Sequence, residues 1–310
     1  MGTIAIGVDI GGSHIYCAAV DLKTHRIIPG TGHDQKINNA GSAEEILDGW
    51  SAALAATIRK IDQKELVGIG FAMPGPFDYA NGIALFERVN KYDNLSGVDI
   101  TQQLRERLQL DDKVRLRYIN DATAFAIAES WIGMASNYNR VLALTLGTGF
   151  GSAFIERGIP VLDGDTVPET GCVWHIPYKE SIANDYFSTR WFTWKYFNKT
   201  GILVDGVKEI VDSMDKYPVG VKLFEEFGTN MGEFLAPWIM KFNAEVIVMG
   251  GNISGSYDLF GNHLIHSLKS NSVTIEVLVS ELKEDAAVIG AARLLVEDYW
   301  DKVKYLLDLM

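Results

Sequence analysis

Two glycine-rich turns, each set between apolar runs, constrain the fold of this chain more than any other feature. The first lies in VDIGGSHIYCAAVDL, residues 8–22, and the second in VLALTLGTGFGSAFIERG, residues 141–158. A βαβ nucleotide fold would use such a turn to enter a helix. Here the residues after each turn are mostly β-branched, aromatic or small, which predicts a second strand instead. We therefore expect each turn to be the tip of a β-hairpin.

A hairpin tip of this composition can bind an anion. Successive backbone N–H groups at glycines form a nest around a phosphate, and no Cβ blocks its approach. Ser13 could add a hydroxyl donor, and Asp9 could face a magnesium ion that neutralises the phosphate oxygens. An ordinary hairpin turn is the alternative, since Gly-Gly is common there. The second turn favours the phosphate interpretation, because two related lobes could hold one nucleotide from both sides.

The rest of the chain alternates strand and helix signals, which predicts an α/β fold. Strands are expected at Thr3 to Asp9, His14 to Val20, His25 to Pro29, Leu66 to Phe71, Val114 to Ile119 and Glu245 to Met249. Helices are expected from Ser42, at Ile100 to Leu110, Ala122 to Trp131, 184–197, Val204 to Met214, Val221 to Phe242, and Ala286 to Leu309 with a break near Trp300.

Polar or glycine residues follow two of these strands at the position where α/β sheets bind ligands. Asn120 and Asp121 come just past a strand and open a helix, where a negative charge is favourable. Asp121 could serve only as a helix cap, the commoner role of Asp at such a position. Gly250 and Gly251 end another strand, where a flat adenine ring could lie on the backbone, although a tight βα connection would look the same.

Charge and cysteine usage exclude several classes of protein. The 310 residues include 40 acids and 28 bases, a net charge of −12 that repels nucleic acid, and we find no basic patch. The two cysteines, Cys17 and Cys172, have no companions at disulfide or zinc spacing. No apolar run approaches the ~20 residues that cross a bilayer, and no signal-peptide pattern opens the chain. We expect a cytoplasmic protein with no membrane or nucleic-acid partner.

Five motifs in order resemble the actin-like sugar kinases, and among them the ROK family (repressors, open reading frames, kinases). They are DIGGSH from Asp9, GIGFAMPGPFD from Gly68, NDATAFAIAE from Asn120, LGTGFGSA from Leu146 and VMGGNIS from Val248. The resemblance implies an α/β fold of two actin-like (ribonuclease H-like) lobes with an interlobe cleft. We place the N-terminal lobe at residues 1–121 and the C-terminal lobe at 122–310, with the last helix packing back on the first lobe.

The resemblance also implies roles for these residues, with ATP and Mg²⁺ as cofactors. Asp121 would be the catalytic base, and Asp9 would hold Mg²⁺ through phosphates or water. The sugar would contact Asn120, Asn94, Pro74, Gly75, Glu169 and His175. The nucleotide would contact Asp9, Gly11, Gly12 and Ser13 in the first phosphate loop, Gly147, Thr148, Gly149 and Gly151 in the second, and Gly250 and Gly251 in the adenosine loop.

The chain departs from the family pattern on the sugar side. The usual Glu-x-Gly-His element is ETGC here, so Cys172 replaces the His, and His175 could substitute for it or be merely packed beside Trp174. Asn184 stands about where a second sugar-binding Glu is expected. The Cys-rich zinc element is missing, so we expect no zinc site. These changes imply altered recognition of sugar hydroxyls, because such contacts discriminate strongly between sugars.

The expected function is ATP-dependent phosphorylation of a sugar hydroxyl, on a hexose, an amino sugar or a related polyol. One alternative is a catalytically weak sugar sensor without a DNA-binding domain, since the first phosphate loop begins within ten residues of Met1. The other is an actin-like phosphotransferase with a non-sugar acceptor. The aromatic residues from Trp191 to Phe197 could form a homodimer contact.

Overall fold

The structure is a computed structural model that describes residues 2–89 and 91–310. The chain divides into two compact units, residues 1–132 with 284–310, and residues 133–283. The division falls after Ile132 rather than at the expected 121/122 boundary, because the helix that Asp121 opens packs on the sheet of the first unit. The roles assigned to the two lobes stay a prediction.

The elements follow one another in a regular alternation. The strands are β1 (Ile4–Ile10), β2 (His14–Asp21), β3 (Arg26–Ile27), β4 (His33–Lys36), β5 (Leu66–Met73), β6 (Phe77–Asp78), β7 (Ile83–Ala84), β8 (Arg115–Asn120), β9 (Arg140–Leu146), β10 (Phe150–Glu156), β11 (Ile159–Pro160), β12 (Pro177–Tyr178), β13 (Ser181–Ile182), β14 (Val246–Gly250) and β15 (Glu276–Val279). The helices are α1 (Ala43–Ile58), α2 (Ile100–Leu108), α3 (Asp121–Trp131), α4 (Ala183–Tyr186), α5 (Thr189–Thr200), α6 (Val207–Asp212), α7 (Val219–Phe242), α8 (Tyr257–Ser270), α9 (Asp285–Arg293) and α10 (Glu297–Val303).

The two units contain sheets of the same design. In the first, the strand order is β3-β2-β1-β5-β8, with β1 antiparallel to β2 and parallel to β5, and with β4 also paired to β2. In the second, the order is β11-β10-β9-β14-β15, with β9 antiparallel to β10 and parallel to β14. Each glycine turn is the tip of the antiparallel hairpin, as the sequence predicts.

Glycines on the first sheet let α9 lie unusually close to it. A Cβ on Gly7 of β1 would overlap the backbone of Val288, and one on Gly70 of β5 would overlap the backbone of Ala291. A Cβ on Gly290 of α9 would likewise overlap the carbonyl oxygen of Ala124 in α3. The C-terminal segment is therefore an integral layer of the first unit.

The core of the second unit is built largely from aromatic side chains. Phe187, Phe192, Phe227 and Phe260 are fully buried, and their rings meet in tilted or edge-on pairs with centroids 4.8 to 5.9 Å apart. Such pairs add specificity of packing to the area that they bury. This core fixes α5, α7 and α8 beneath the second sheet.

Several expected elements differ in extent. The third strand shortens to Arg26–Ile27, and β4 was not predicted. The single helix expected over 184–197 is two helices, because Ser188 is extended, with φ −125° and ψ 167°. The C-terminal break falls at 294–296 rather than near Trp300.

Strand alternation alone would turn both Arg115 and Arg117 of β8 to solvent, but the structure buries Arg117. Only 8% of Arg117 is exposed. Its guanidinium donates to the carbonyl oxygen of Leu294 and to Glu297, and it lies 4.1 Å from the ring centroid of Trp300. The C-terminal segment covers this side chain, and that contact is invisible to local alternation.

Candidate functional site

The predicted acidic residues of the first unit lie at one edge of its sheet. Strands β1, β5 and β8 are adjacent and parallel, so their carboxyl ends meet. Asp9 is in register with Ala72, and Met73 is in register with Asn120. The ends of the three strands therefore place Asp9, Pro74 and Asp121 at the same edge, where open α/β sheets bind ligands.

Asn120, not Asp121, caps helix α3. The Asn120 Oδ1 accepts from the backbone N–H of Thr123 at 3.1 Å, which is the capping bond of the helix. Asp121 is the first helical residue, and its Oδ1 accepts from the N–H of Ala122 at 2.8 Å and from the Asn120 Nδ2 at 3.0 Å. Because Asn120 caps the helix, the Asp121 carboxyl is not needed for capping.

The same edge collects negative charge in a partly buried place. The pKa of Asp9 is raised from 3.8 to about 7. Burial is the main cause, and the negative charges of Asp121 and Glu284 contribute to the same shift. Burial also raises the pKa of Asp121, while Lys91, the Ala122 N–H and Asn120 act in the opposite direction. Two interacting carboxyl groups with shifted pKa values are typical of a functional site.

The first glycine hairpin is held by bonds to its carbonyl oxygens. Within the turn, the N–H of Gly11 donates to the His14 carbonyl at 2.9 Å. The Tyr92 hydroxyl donates to the Gly11 carbonyl at 2.6 Å, and the Asn39 side-chain amide donates to the Gly12 carbonyl. Gly12 and Ser13 are exposed at the tip. The turn therefore has a fixed backbone at an accessible position.

The remaining predicted residues of this unit are Pro74, Gly75 and Asn94, of which the first two lie at the same strand ends. Pro74 and Gly75 directly follow β5, and the Tyr79 hydroxyl donates to the Met73 carbonyl at 3.1 Å below them. Asn94 is exposed in the 3₁₀ helix Asp93–Leu95, and its Nδ2 donates to the Gly41 carbonyl at 2.7 Å.

The second unit brings its two predicted nucleotide loops together. Gly250, at the end of β14, is in register with Thr145 of β9, just before the second hairpin. Gly251 has a φ of +84°, and a Cβ there would overlap the backbone of Leu146, so both the conformation and the space require glycine. The Gly147 carbonyl accepts from the N–H and the hydroxyl of Thr189 at 2.8 and 2.9 Å. Thr148, Gly149 and Gly151 continue this hairpin.

The residues of the altered ETGC element lie near the second hairpin. Glu169 is exposed in the 3₁₀ helix Glu169–Gly171. The Cys172 Sγ lies 3.8 Å from the His175 Nδ1, so the imidazole is directly beside the thiol that replaces the family His. Burial raises the pKa of Cys172, which keeps it a thiol. The N–H of Val173 donates to the hydroxyl of Ser152 at 2.9 Å, which ties this loop to β10.

Asn184, where a second sugar-binding Glu is expected, has a structural partner. Its Oδ1 accepts from the backbone N–H of Phe150 at 3.0 Å, directly after the glycine turn of the second hairpin. This carboxamide oxygen therefore supports the glycine turn.

The arrangement of glycine hairpins and edge carboxylates agrees with the family model that matches the chain. The model is that of the ROK family, and it matches residues 5–298. The chain belongs to the ROK family. Its fold is accordingly the α/β fold of two actin-like lobes that the motifs predict.

Relatives and solved structures of the ROK family cover nearly the whole chain. A glucokinase from Thermotoga maritima is 27% identical, over 94% of this chain and 97% of its own length. An N-acetyl-D-glucosamine kinase from Mannheimia succiniciproducens is 26% identical, over 93% and 98%. The crystal structure of a ROK family glucokinase from Streptomyces griseus, in complex with glucose and AMPPNP, superposes with a TM-score of 0.76 at 23% identity, over 95% and 99%.

The ROK family implies a magnesium ion, and the first unit offers a fitting place for it. Mg²⁺ is commonly held by one or two carboxylates together with substrate phosphates. Asp9 could supply such a carboxylate: burial is the main cause of its raised pKa, the charges of Asp121 and Glu284 add to it, and a bound divalent cation would favour the ionised form. Over residues 2–89 and 91–310, no three His, Cys, Asp or Glu side chains cluster as a metal site. The expected lack of zinc stays a prediction.

Sequence reasoning missed four residues near the carboxyl edge of the first sheet. They are Tyr92 and Asn39, which hold the hairpin, and Lys91 and Glu284, which act on the edge carboxylates. None lies in a glycine motif, and Glu284 reaches the edge only through the packing of α9.

In the described part of the chain, no helix combines the length and apolarity that a membrane span requires.

Proposed function

We propose that the protein is an ATP-dependent sugar kinase in which Asp121 is the general base. The main observation that supports this proposal is the carboxyl edge of the first sheet, where Asp121 lies beside a glycine hairpin and is not needed as a helix cap. The names of the kinase relatives support this proposal. Phosphoryl transfer to an alcohol needs one carboxylate within hydrogen-bond reach of the hydroxyl, together with donors around the phosphates.

The hydrogen bonds of Asp121 indicate which oxygen would act. Oδ1 already accepts from Ala122 and Asn120. Oδ2 would therefore take the proton of the sugar hydroxyl. The base must be ionised to act, and the positive charge of Lys91 opposes the effect of burial on its pKa. Asn120 would orient the carboxylate, and its amide would face the sugar.

The two glycine hairpins would each bind phosphate oxygens through backbone N–H groups. Gly11, Gly12 and Ser13 would do so in the first unit, and residues 147–151 in the second. Gly250 and Gly251 would hold the adenosine, since a side chain at Gly251 has no space. When bound through Asp9, Mg²⁺ would supply positive charge to the phosphate oxygens.

The sugar would be a hexose or an amino sugar, the classes that the relatives' names print. Asn94, Pro74 and Gly75 would contact it from the first unit. In the second unit, Glu169 and His175 are the residues that we assign to sugar recognition, and the His175 imidazole lies beside the Cys172 thiol. Because a thiol is a weak hydrogen-bond donor, we expect a hydroxyl preference different from that of an Glu-x-Gly-His kinase.

The test is ADP release from magnesium-ATP across a panel of hexoses, amino sugars and polyols. With the best sugar, Asp121→Asn should lower kcat by roughly 10³-fold, in the range of a lost general base. Its Kd for ADP should stay within about twofold, because Asn keeps the shape of the side chain and the charge lies on the acceptor side.

Asp99→Asn is the matched control, since Asp99 is exposed and caps α2, a role that Asn fills equally well. Retained turnover in Asp121→Asn would remove Asp121 from its role. ADP binding without transfer to any sugar would overturn the sugar kinase in favour of a sensor or a non-sugar acceptor.

A further inference from the structure

Tyr92 has a backbone conformation that is unusual for its size. It precedes the 3₁₀ helix Asp93–Leu95 with φ 56° and ψ 21°, in the left-handed region. It is also fully buried. Bulky side chains rarely adopt this conformation, and those that do are held by their surroundings, commonly at functional sites.

The contacts that hold Tyr92 connect it to four other segments of the first unit. Its ring packs against Trp50, with centroids 5.3 Å apart, and against Phe86, at 5.7 Å. Its N–H donates to the Asn39 carbonyl at 2.9 Å, and its hydroxyl donates to the Gly11 carbonyl at 2.6 Å. Burial raises the pKa of Tyr92, so the phenol keeps the proton that it donates.

The bond to Gly11 controls a group on the opposite side of the peptide. The peptide unit is planar and trans, so a fixed carbonyl oxygen also fixes the next N–H, which points the other way. Tyr92 thereby orients the N–H of Gly12. Asn39, through the Gly12 carbonyl, orients the N–H of Ser13 in the same manner. These are the N–H groups that a phosphate would meet at the tip of the hairpin.

The residues beside Tyr92 belong to the acceptor side of the proposed site. Lys91 carries a positive charge that acts on Asp121. Asn94, a predicted sugar contact, donates to the Gly41 carbonyl at 2.7 Å. A shift of segment 91–94 on sugar binding would therefore be transmitted to the Gly11 carbonyl through the Tyr92 side chain.

We infer that Tyr92 is a positioning residue, which orients the Gly12 N–H toward phosphate and couples the acceptor segment 91–94 to the first hairpin. The coupling rests on the proposed function, whereas the orientation of the hairpin does not. The packed ring would hold the hydroxyl in place, and in the described part of the chain the hydroxyl is the group of this side chain that bonds to the hairpin.

The experiment compares Tyr92→Phe with Tyr118→Phe by hydrogen–deuterium exchange and by ADP titration. Tyr118 is the matched control, because it is also buried in the first unit and its hydroxyl bonds only to Thr101 among the described residues, at 2.9 Å. In Tyr92→Phe, peptides over residues 8–16 should exchange about tenfold faster, as expected for one lost hydrogen bond. In Tyr118→Phe they should exchange as in the wild type.

The second readout is the ratio of the ADP Kd without and with the best sugar of the panel, measured with magnesium. A coupled wild type should show a ratio of about five or more. Tyr92→Phe should bring it within about twofold of one, and Tyr118→Phe should leave it unchanged. A smaller folded fraction would raise this ratio, because the sugar also stabilises the folded state, so a merely structural defect cannot lower it.

The outcomes separate the two proposals. Unchanged exchange of the hairpin in Tyr92→Phe overturns the positioning role whether or not the protein is a kinase. A wild type that phosphorylates a sugar but shows equal ADP affinity with and without it overturns the coupling. Lack of transfer to every sugar overturns the proposed function alone, and the exchange experiment then still decides the role of Tyr92 at the hairpin.

Discussion

At the scale of single residues, Asp9 carries a free-energy cost that depends on pH. Its pKa in the folded chain is about 7, above the ordinary value of 3.8, and burial is the main cause. The folded state therefore binds the proton more tightly than the unfolded state does. The resulting stabilisation is fully present below about pH 4, and it is lost as the pH rises through 7.

We predict that Asp9→Asn is more stable than the wild type at pH 8, because Asn carries no charge to bury. The gain in the free energy of unfolding should be on the order of 2 to 4 kcal/mol. It should be less than half as large at pH 5, and it should approach zero only below about pH 4, where Asp9 is protonated in both the folded and the unfolded state. Urea unfolding at both pH values measures the difference.

Glu284→Gln is the informative companion variant, since the charge of Glu284 contributes to the raised pKa of Asp9. It should move the pH dependence to lower pH without abolishing it. Asp99→Asn, at an exposed position, is the control for the exchange of an Asp for an Asn. An Asp9→Asn stability gain that is equal at pH 5 and pH 8 would contradict the burial argument.

Residue identity in the sequence predicted which side chains stand at the sheet edge, but not what holds them. Asp9, Asn120 and Asp121 are adjacent to strand ends in the chain, so local pattern was sufficient. Tyr92 and Asn39 reach the hairpin through contacts between residues far apart in sequence. Such contacts leave no periodic signal. The assignment of the cap to Asn120 rather than Asp121 depended on the backbone geometry at the helix start.

At the scale of elements, the sequence predicted the paired hairpins and the principal helices, because each has a strong local period. It missed the break at Ser188, since the apolar spacing continues across it. It predicted that the last helix packs back on the first lobe, but not how closely α9 approaches the first sheet. Gly7, Gly70 and Gly290 create that packing, and an isolated glycine within a strand or helix pattern does not reveal which backbone approaches it.

The crossing of α3 and α9 predicts how Gly290→Ala changes the free energy of unfolding, since helix propensity and steric overlap act in opposite directions. Gly290→Ala should gain about 1 kcal/mol from helix propensity. The new methyl would overlap the Ala124 carbonyl oxygen, a backbone atom that cannot rotate away, and such overpacking costs about 3 kcal/mol or more. We expect a net loss of stability of about 2 kcal/mol or more, measured by urea unfolding.

Gly255→Ala is the matched control for this prediction. Gly255 lies in the 3₁₀ helix Asn252–Ser256, and a Cβ there would meet no atom within 4 Å. Its free energy of unfolding should therefore stay within about 0.5 kcal/mol of the wild type. If Gly290→Ala were as stable as this control, the close approach of α9 to α3 would be wrong.

At the scale of the whole molecule, the two units repeat one sheet topology with different additions. The first unit adds the C-terminal segment, which is fixed by the buried Arg117 and by α9. The second adds the aromatic core of α5, α7 and α8. That core takes up three of the aromatics that the sequence offered for a dimer contact, since Trp191, Phe192 and Tyr196 are buried.

Two aromatics of α5 are left on the surface of the second unit. Trp194 is 63% exposed and Phe197 is 42% exposed. Residues three apart lie on one face of a helix, so the two rings form a single apolar patch. Large exposed aromatic groups commonly mark protein interfaces, and a two-fold interface uses the same patch on both copies. We therefore propose that α5 forms the contact of a homodimer.

Light scattering on the purified protein should accordingly report twice the chain mass of 34.3 kDa. Trp194→Glu should shift the protein to a monomer at micromolar concentration, because it would bury one unpaired carboxylate from each copy in the contact, each at a cost of several kcal/mol. Tyr305→Glu is the control, since Tyr305 is 72% exposed in the first unit. A monomeric wild type, or a Trp194→Glu variant that stays dimeric, would show that this patch does not mediate assembly.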